Sequence, residues 1–235
     1  MHDVRKIETG QKLIAALLLE AVNSEKKGVV TSLQWGGIWP GIMSHSKEQI
    51  DLFSKTGAEF RTGEIFIELD IRQTTGMSFT EKAFHKLFGV TIRHYENTDF
   101  ESLHHLLSKE FGVGWTHEVL NKVNKDFECF NGYGLASPYN PNDVFVVSNK
   151  NEIFGFCIVQ SGTGTKQGFF GPVGLVQNMR GKGIGSLLFI EAVNYLKSKG
   201  KEQIGLWTNE TIYSSFYKKI GCYKTFETLH AEWSV

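Results

Sequence analysis

The run Arg180-Gly181-Lys182-Gly183-Ile184-Gly185 has the residue types and spacing to hold a phosphorylated ligand. Three glycines let the backbone curl and approach an anion without side-chain obstruction, and successive N–H groups at a helix start carry about half a positive charge. Arg180 and Lys182 add full charges at the rim, which favours a phosphorylated ligand over a neutral one. Two other phosphate-binding spacings are absent: a Walker loop needs Gly, four residues and Gly-Lys-Ser/Thr, and the dinucleotide fingerprint needs Gly-x-Gly-x-x-Gly with a later acidic residue. An isolated Gly-x-Gly also serves as an ordinary strand-ending turn, so the elements around it decide.

Before the loop, the apolar run Val173 to Val176 reads as a strand, and after it Ile184 to Lys199 has helical spacing. Downstream, the apolar run Ile204 to Trp207 and the turn-prone pair Thr208-Asn209 lead to Phe216-Tyr217-Lys218-Lys219-Ile220-Gly221-Cys222-Tyr223. Upstream, Val90 to Tyr95 alternates as a strand, while Phe100 to Phe111 and Thr116 to Phe127 have helical spacing. Val144 to Ser148 and Ile153 to Gln160 read as a hairpin around Asn149-Lys150-Asn151. The remaining elements are a strand over Phe169 to Val176, a strand over Gln203 to Trp207, a short helix over Ile212 to Lys219 and a last strand near Lys224 to Trp233.

Arg-Gly-x-Gly-x-Gly after a strand, then strand, Asn, short helix and Tyr-x-x-x-Gly, resembles the GNAT superfamily of N-acetyltransferases over roughly residues 90–235. The resemblance implies a mixed α/β (α+β) fold with a central, mostly antiparallel twisted sheet flanked by helices. It implies acetyl-CoA as the acetyl donor, with the pyrophosphate on the backbone of Arg180, Gly181, Lys182, Gly183, Ile184 and Gly185. It also implies that the pantetheine arm pairs like an extra strand with backbone at Leu175 and Val176, with Asn209 nearby. Tyr217 falls where the family often places a tyrosine beside the thioester sulfur; a phenol can donate a proton to a departing thiolate, although an aromatic on a short helix also commonly fills core. Two positions depart from the usual pattern: Gln177 stands where many members have proline and Met179 where they have tyrosine. Neither change removes a backbone donor, and Gln177 restores an N–H that proline lacks.

The implied reaction is direct attack of a neutral amine on the thioester. A protonated amine has no lone pair, so the amine's proton must be removed, directly or through water. Family members often use a glutamate on the strand before the loop, but Phe169 to Val176 contains no carboxylate. Glu118, Asp126, Glu128 and His117 lie on or just beyond the second helix, on the family's acceptor side. Each carboxylate there also reads as an ordinary solvated helix residue.

Composition narrows the partners. The chain has 25 basic and 25 acidic residues, so its formal charge gives no general attraction to nucleic acid or anionic membranes. Its longest apolar stretch, Leu13 to Val22, contains Glu20 and is too short to span a bilayer. That run also lacks the cleavage pattern of a signal peptide. Cys129, Cys157 and Cys222 form neither a metal pattern nor a disulfide framework, which predicts reduced thiols, no metal and a cytoplasmic setting. Adjacent His104 and His105 point in different directions on a helix and do not share a metal.

An internal likeness sets the expected architecture. Leu17-Leu18-Leu19-Glu20-Ala21-Val22-Asn23, then Lys27-Gly28 and a strand ending at Trp35, parallels Leu188-Phe189-Ile190-Glu191-Ala192-Val193-Asn194, then Lys199-Gly200 and a strand ending at Trp207. The first copy continues with Ile50 to Gly57, aligned with Ser214 to Gly221, and a strand over Glu64 to Ile71. Its aligned loop, Thr9 to Ile14, keeps one glycine, and Phe53 stands where Tyr217 stands in the second copy. The expected organisation is therefore a degenerate partial GNAT-like half-domain over 1–75, a linker over 76–87 and a catalytic domain over 88–235. An isolated half would leave unpaired strand edges, which predicts that it joins the second domain's sheet, or else another subunit in a homodimer. The Gly36 to His45 loop is then a candidate wall of the acceptor entrance.

The tandem layout resembles acetyltransferases acting on small amines, including amino sugars such as glucosamine, and mycothiol-synthase-like enzymes. Trp115, Phe127, Phe130 and Tyr133 could stack on a sugar ring or fill core, and the lack of an acidic run argues against a polycationic acceptor. Two functions of different class follow: an N-acetyltransferase for a small amine, and a nonenzymatic acyl-CoA-binding module serving regulation or assembly.

Overall fold

The computed structural model describes residues 2–30, 42–72, 74, 89–124, 140–149 and 152–234. In chain order the elements are α1 (His2–Asn23), β1 (Gly28–Val30), β2 (Ile42–Met43), α2 (Lys47–Ser54), β3 (Glu59–Asp70), β4 (Thr91–His94), α3 (Phe100–Glu110) and α4 (Gly112–Val123). There follow β5 (Val144–Ser148), β6 (Ile153–Gln160), β7 (Gln167–Leu175), α5 (Ile184–Ser198), β8 (Gln203–Thr208), α6 (Glu210–Ser215) and β9 (Tyr223–Ser234). Short 3-10 turns cover Asn97–Asp99, Pro141–Asp143, Gln177–Met179 and Tyr217–Ile220. The chain forms two compact units, Met1–Ile67 with Trp207–Val235, and Glu68–Leu206.

In the second unit the strand order is β8-β7-β6-β5-β4, antiparallel except for the parallel β7–β8 pair. The helices bury the faces that their periodicity predicts: Leu103, Leu106 and Leu107 on α3, and Val119, Leu120 and Val123 on α4, join Val144, Val146, Phe156 and Ile158 in one core. Each fully buried leucine stabilises that packing by about 2 kcal/mol. The start of α3 is fixed by Asp99, whose carboxylate accepts two bonds from Arg93, at 2.6 and 2.7 Å, and one from the Glu96 N–H at 2.8 Å. Burial alone would raise that carboxyl's pKa, but these partners hold it below the usual carboxylate range.

Helix α4 starts at Gly112, four residues before the expected Thr116. Gly112 at φ 76° turns the chain between α3 and α4, and the Gly-x-Gly that follows Phe111 carries too little apolar pattern to reveal that first turn. The same junction explains Gly174 on β7. A Cβ there would lie 2.4 Å from Cε1 of Phe111, so only glycine lets the α3–α4 corner, where Phe111 stacks on Trp115, sit against the strand.

In the first unit β9 pairs antiparallel with β1, from Gly28↔Ser234 to Val30↔Glu232, and with β2 at Ile42↔Leu229 and Met43↔Thr228. The N-terminal strands β1 and β2 thus pair with the chain's last strand. Ile14, Ile42, Ala231 and Trp233 form the core of this unit, with Phe53 packed at 5.5 Å on Trp233. One expectation is corrected here. Thr9 to Ile14, aligned with the glycine loop, is the interior of α1, and Gly10 packs on Leu52. The single glycine is too little to break a helix that buries Ile14 and Ala21.

The expected linker over 76–87, most of the Gly36 to His45 loop, Cys129, Asp126, Glu128, Phe127, Phe130 and Tyr133 lie outside the described residues. Among the described residues no helix is long and apolar enough to cross a membrane, and no group of His, Cys, Asp and Glu side chains is arranged to hold a metal ion.

Candidate active site

The second unit builds an opened strand edge leading into the glycine loop at the start of α5. Pairing of β7 with β8 covers only Gln167↔Gln203, Gly168↔Ile204 and Phe169↔Gly205. Immediately beyond, the β6–β7 register shifts between Cys157 and Val159, so that Cys157 faces Val173 and Val159 faces Phe170. Strand β7 therefore carries one extra residue, next to Pro172, which has no N–H to offer a neighbour. A bulge bends its strand, and here it lies where β7 and β8 cease to pair.

The orientation of the opened edge follows from one hydrogen bond. The Val176 N–H donates to the Phe154 carbonyl at 2.9 Å, so that pair is hydrogen-bonded and the next one, Gly155↔Leu175, is not. Leu175, and Val173 two residues before it, accordingly turn their N–H and C=O groups away from β6. The Val176 carbonyl accepts from the Met179 N–H at 3.0 Å, so both backbone groups of Val176 are engaged within the protein. Leu175 faces the open side, and so does Val173, which the sequence pattern alone did not single out. Only the β6 register reveals its direction.

Past the turn at 177–179 comes the glycine loop. Gly181 and Gly183 adopt φ 73° and 80°, a left-handed conformation natural to glycine. Among the described residues, the N–H groups of Gly181 to Ser186 have no acceptor in the protein, and the first bond of α5 runs from Leu187 N–H to Gly183 C=O at 3.2 Å. A Cβ placed on Gly181, Gly183 or Gly185 would meet nothing within 4 Å. Six free donors at the start of a 15-residue helix, bordered by open space and the exposed Lys182, fit a pyrophosphate. Ile184 is fully buried and anchors the helix start beneath them.

Gly183→Val is expected to weaken acetyl-CoA binding at least tenfold, roughly the loss of one or two charge-assisted hydrogen bonds. A branched side chain at φ 80° is strained by about 1–2 kcal/mol and covers the donors. Calorimetric titration of the folded variant checks it; unchanged affinity overturns the cradle assignment.

In the first unit, Asn209 caps α6: its Oδ1 accepts from the Ile212 N–H at 2.9 Å. Tyr217 opens the 3-10 turn Tyr217–Ile220, is 4% exposed and packs edge-on against Phe216 at 4.8 Å. Neither described cysteine offers a thiolate. Burial pushes the Cys157 thiol far above its usual pKa and that of Cys222 up to about 12.

The helix carboxylate Glu118 is half-buried rather than solvated. Burial raises its pKa to about 7, against the opposing pull of Lys122 one turn along α4. Lys122 is itself 1% exposed, with Nζ 3.7 Å from the buried Asp143. Asp143 also accepts from the Ser161 hydroxyl at 2.7 Å and N–H at 3.1 Å.

The model of the acetyltransferase (GNAT) family matches residues 100–223, more than half of the chain. The chain belongs to the GNAT acetyltransferase family. This match takes in the GNAT cradle, Asn209 and Tyr217. A search among curated proteins finds no match. Among solved structures, a GCN5-related glucosamine N-acetyltransferase region of a fungal multi-domain GH3 β-N-acetylglucosaminidase aligns at 15% identity and TM-score 0.68, over 88% of this chain and 25% of that one. A GCN5-related N-acetyltransferase from Sphaerobacter thermophilus aligns at 15% identity and TM-score 0.60, over 82% and 58%. A tandem GNAT protein from the clavulanic acid biosynthesis pathway aligns at 11% identity and TM-score 0.59, over 95% and 69%. The chain thus spans a quarter and somewhat over half of the first two. At these identities the likeness is one of fold, and it agrees with the mixed α/β, mostly antiparallel GNAT architecture expected from the sequence.

Proposed function

We propose that this protein transfers the acetyl group of acetyl-CoA to the primary amine of a small molecule, with an amino sugar such as glucosamine as the leading acceptor. The observation that carries the donor half is the pairing, within one unit, of an opened strand edge with six free N–H groups at a helix start. The edge suits the amide-bearing pantetheine arm, taken up by Val173 and Leu175 alongside Val176. The loop Arg180 to Gly185 suits the pyrophosphate. Asn209 matches the family's asparagine near the arm.

In the transfer, the neutral amine's lone pair forms the new C–N bond at the thioester carbonyl as the C–S bond breaks. CoA departs as thiolate and takes the proton of the Tyr217 hydroxyl, the nitrogen's surplus proton passes to water, and water returns a proton to Tyr217. The amino-sugar acceptor draws support from the glucosamine N-acetyltransferase region among the structural neighbours. We further propose that residues 1–75 descend from a partial GNAT copy in which Phe53 replaces the tyrosine and no chemistry remains.

The test is acetyl-CoA-dependent release of free CoA across amino sugars, amino acids, polyamines, aminoglycosides and peptides, with the acceptor-free rate subtracted. Turnover confined to amino sugars is the expected result. Turnover with another class replaces the acceptor, and tight acetyl-CoA binding without turnover in any class marks a binding module instead.

A further inference from the structure

Arg180 is exposed, yet its side chain is committed: Nε donates to the Leu175 carbonyl at 2.9 Å. The bond spans the turn at 177–179 and joins the first residue of the glycine loop to the outward-facing residue of the opened strand. Its own backbone N–H donates to Gln177 at 3.2 Å, so Arg180 contributes no free donor to the cradle. Other contacts across this corner are local turn bonds, Met179 to Val176 and Arg180 to Gln177. Among the described residues, the guanidinium is the side-chain group that ties strand edge to loop.

A ligand gripped at two places gains when the two grips are held at the right spacing, because the second contact then forms at high effective concentration. We propose that Arg180 is a positioning residue for acetyl-CoA, a brace that sets the distance between the edge that takes the pantetheine arm and the loop that takes the pyrophosphate, and not a counter-charge for the phosphates. This rests on the acetyl-CoA function above. A planar guanidinium holds a directed N–H on a carbonyl in a way that the point charge and flexible stem of lysine do not.

The test compares two probes by calorimetry, acetyl-CoA and the phosphorylated ADP portion of CoA without its arm, on wild type, Arg180→Met and Arg180→Lys. The exposed position lets both variants fold. Both should lose about tenfold toward acetyl-CoA, the scale of one charged hydrogen bond, and less than about twofold toward the armless probe. Equal losses on both probes in Arg180→Met, restored in Arg180→Lys, would show a phosphate charge and overturn the brace. Unchanged acetyl-CoA affinity in both variants overturns it as well. Wild type that binds neither probe refutes the acetyl-CoA function itself, and the brace falls with it.

Discussion

Tyr217→Phe is expected to lower acetyl transfer by about a hundredfold or more, the usual scale for loss of a positioned general acid. Acetyl-CoA affinity should stay within about twofold of wild type. The ring is buried and packed edge-on against Phe216, contacts that phenylalanine preserves; what disappears is the O–H. Losing kcat while retaining affinity is the signature of an interaction made in the transition state and not in the ground state. Steady-state kinetics with a saturating acceptor, beside a direct titration of acetyl-CoA, separates the two quantities. Equal turnover rejects Tyr217 as the proton donor, and a parallel fall in affinity would make it a binding residue. Phe53, which the proposed N-terminal copy aligns with Tyr217, packs on Trp233 as core.

Glu118→Gln is expected to stabilise the protein at alkaline pH and not at acid pH. In the folded protein the Glu118 carboxyl keeps its proton up to about pH 7, because burial disfavours the charge more than Lys122 favours it. Unfolded, it ionises around the ordinary glutamate value of 4.5. Below both values the group is neutral in both states and costs nothing. As pH rises from 4.5 towards 7, the unfolded state releases the proton first, and stability falls; above both values the folded protein carries the full cost of a buried carboxylate. That cost is on the order of 3 kcal/mol. Glutamine has no charge to bury, so urea unfolding should give similar stabilities for wild type and variant at pH 4 and a gap approaching that size at pH 8. A gap of the same size at both pH values would mean that packing, not ionisation, separates them. Lys122 and Asp143 stay in place in the variant, which keeps the other buried charges constant.

Much of the second unit was legible because its signals are local. The hairpin strands Val144–Ser148 and Ile153–Gln160 follow directly from short apolar runs between turn residues, and α3 and α5 from apolar spacing near 3.6. The glycine loop was equally plain, since backbone curvature, left-handed φ and a following helix start are properties of consecutive residues. Readings that depended on likeness between distant segments fared unevenly. In the segment aligned as a first copy, Thr9 to Ile14 was expected as a loop and is helix, because apolar neighbours at i and i+7 outweigh one glycine.

By itself, then, the sequence determined the order and type of most elements, the glycine loop and the family. Each is written in short-range periodicity or in backbone freedom at named glycines. The tertiary structure alone decided which groups face where. Val173 and Leu175 turn outward because Val176 bonds to Phe154, a register set by a bulge that no local pattern marks. Glu118 is half-buried because of what packs around α4, and the N-terminal strands close on β9, some 200 residues away in sequence, because open edges seek partners wherever the fold brings them. Long-range pairing and burial are properties of the assembled chain, and a window of neighbouring residues carries no record of them.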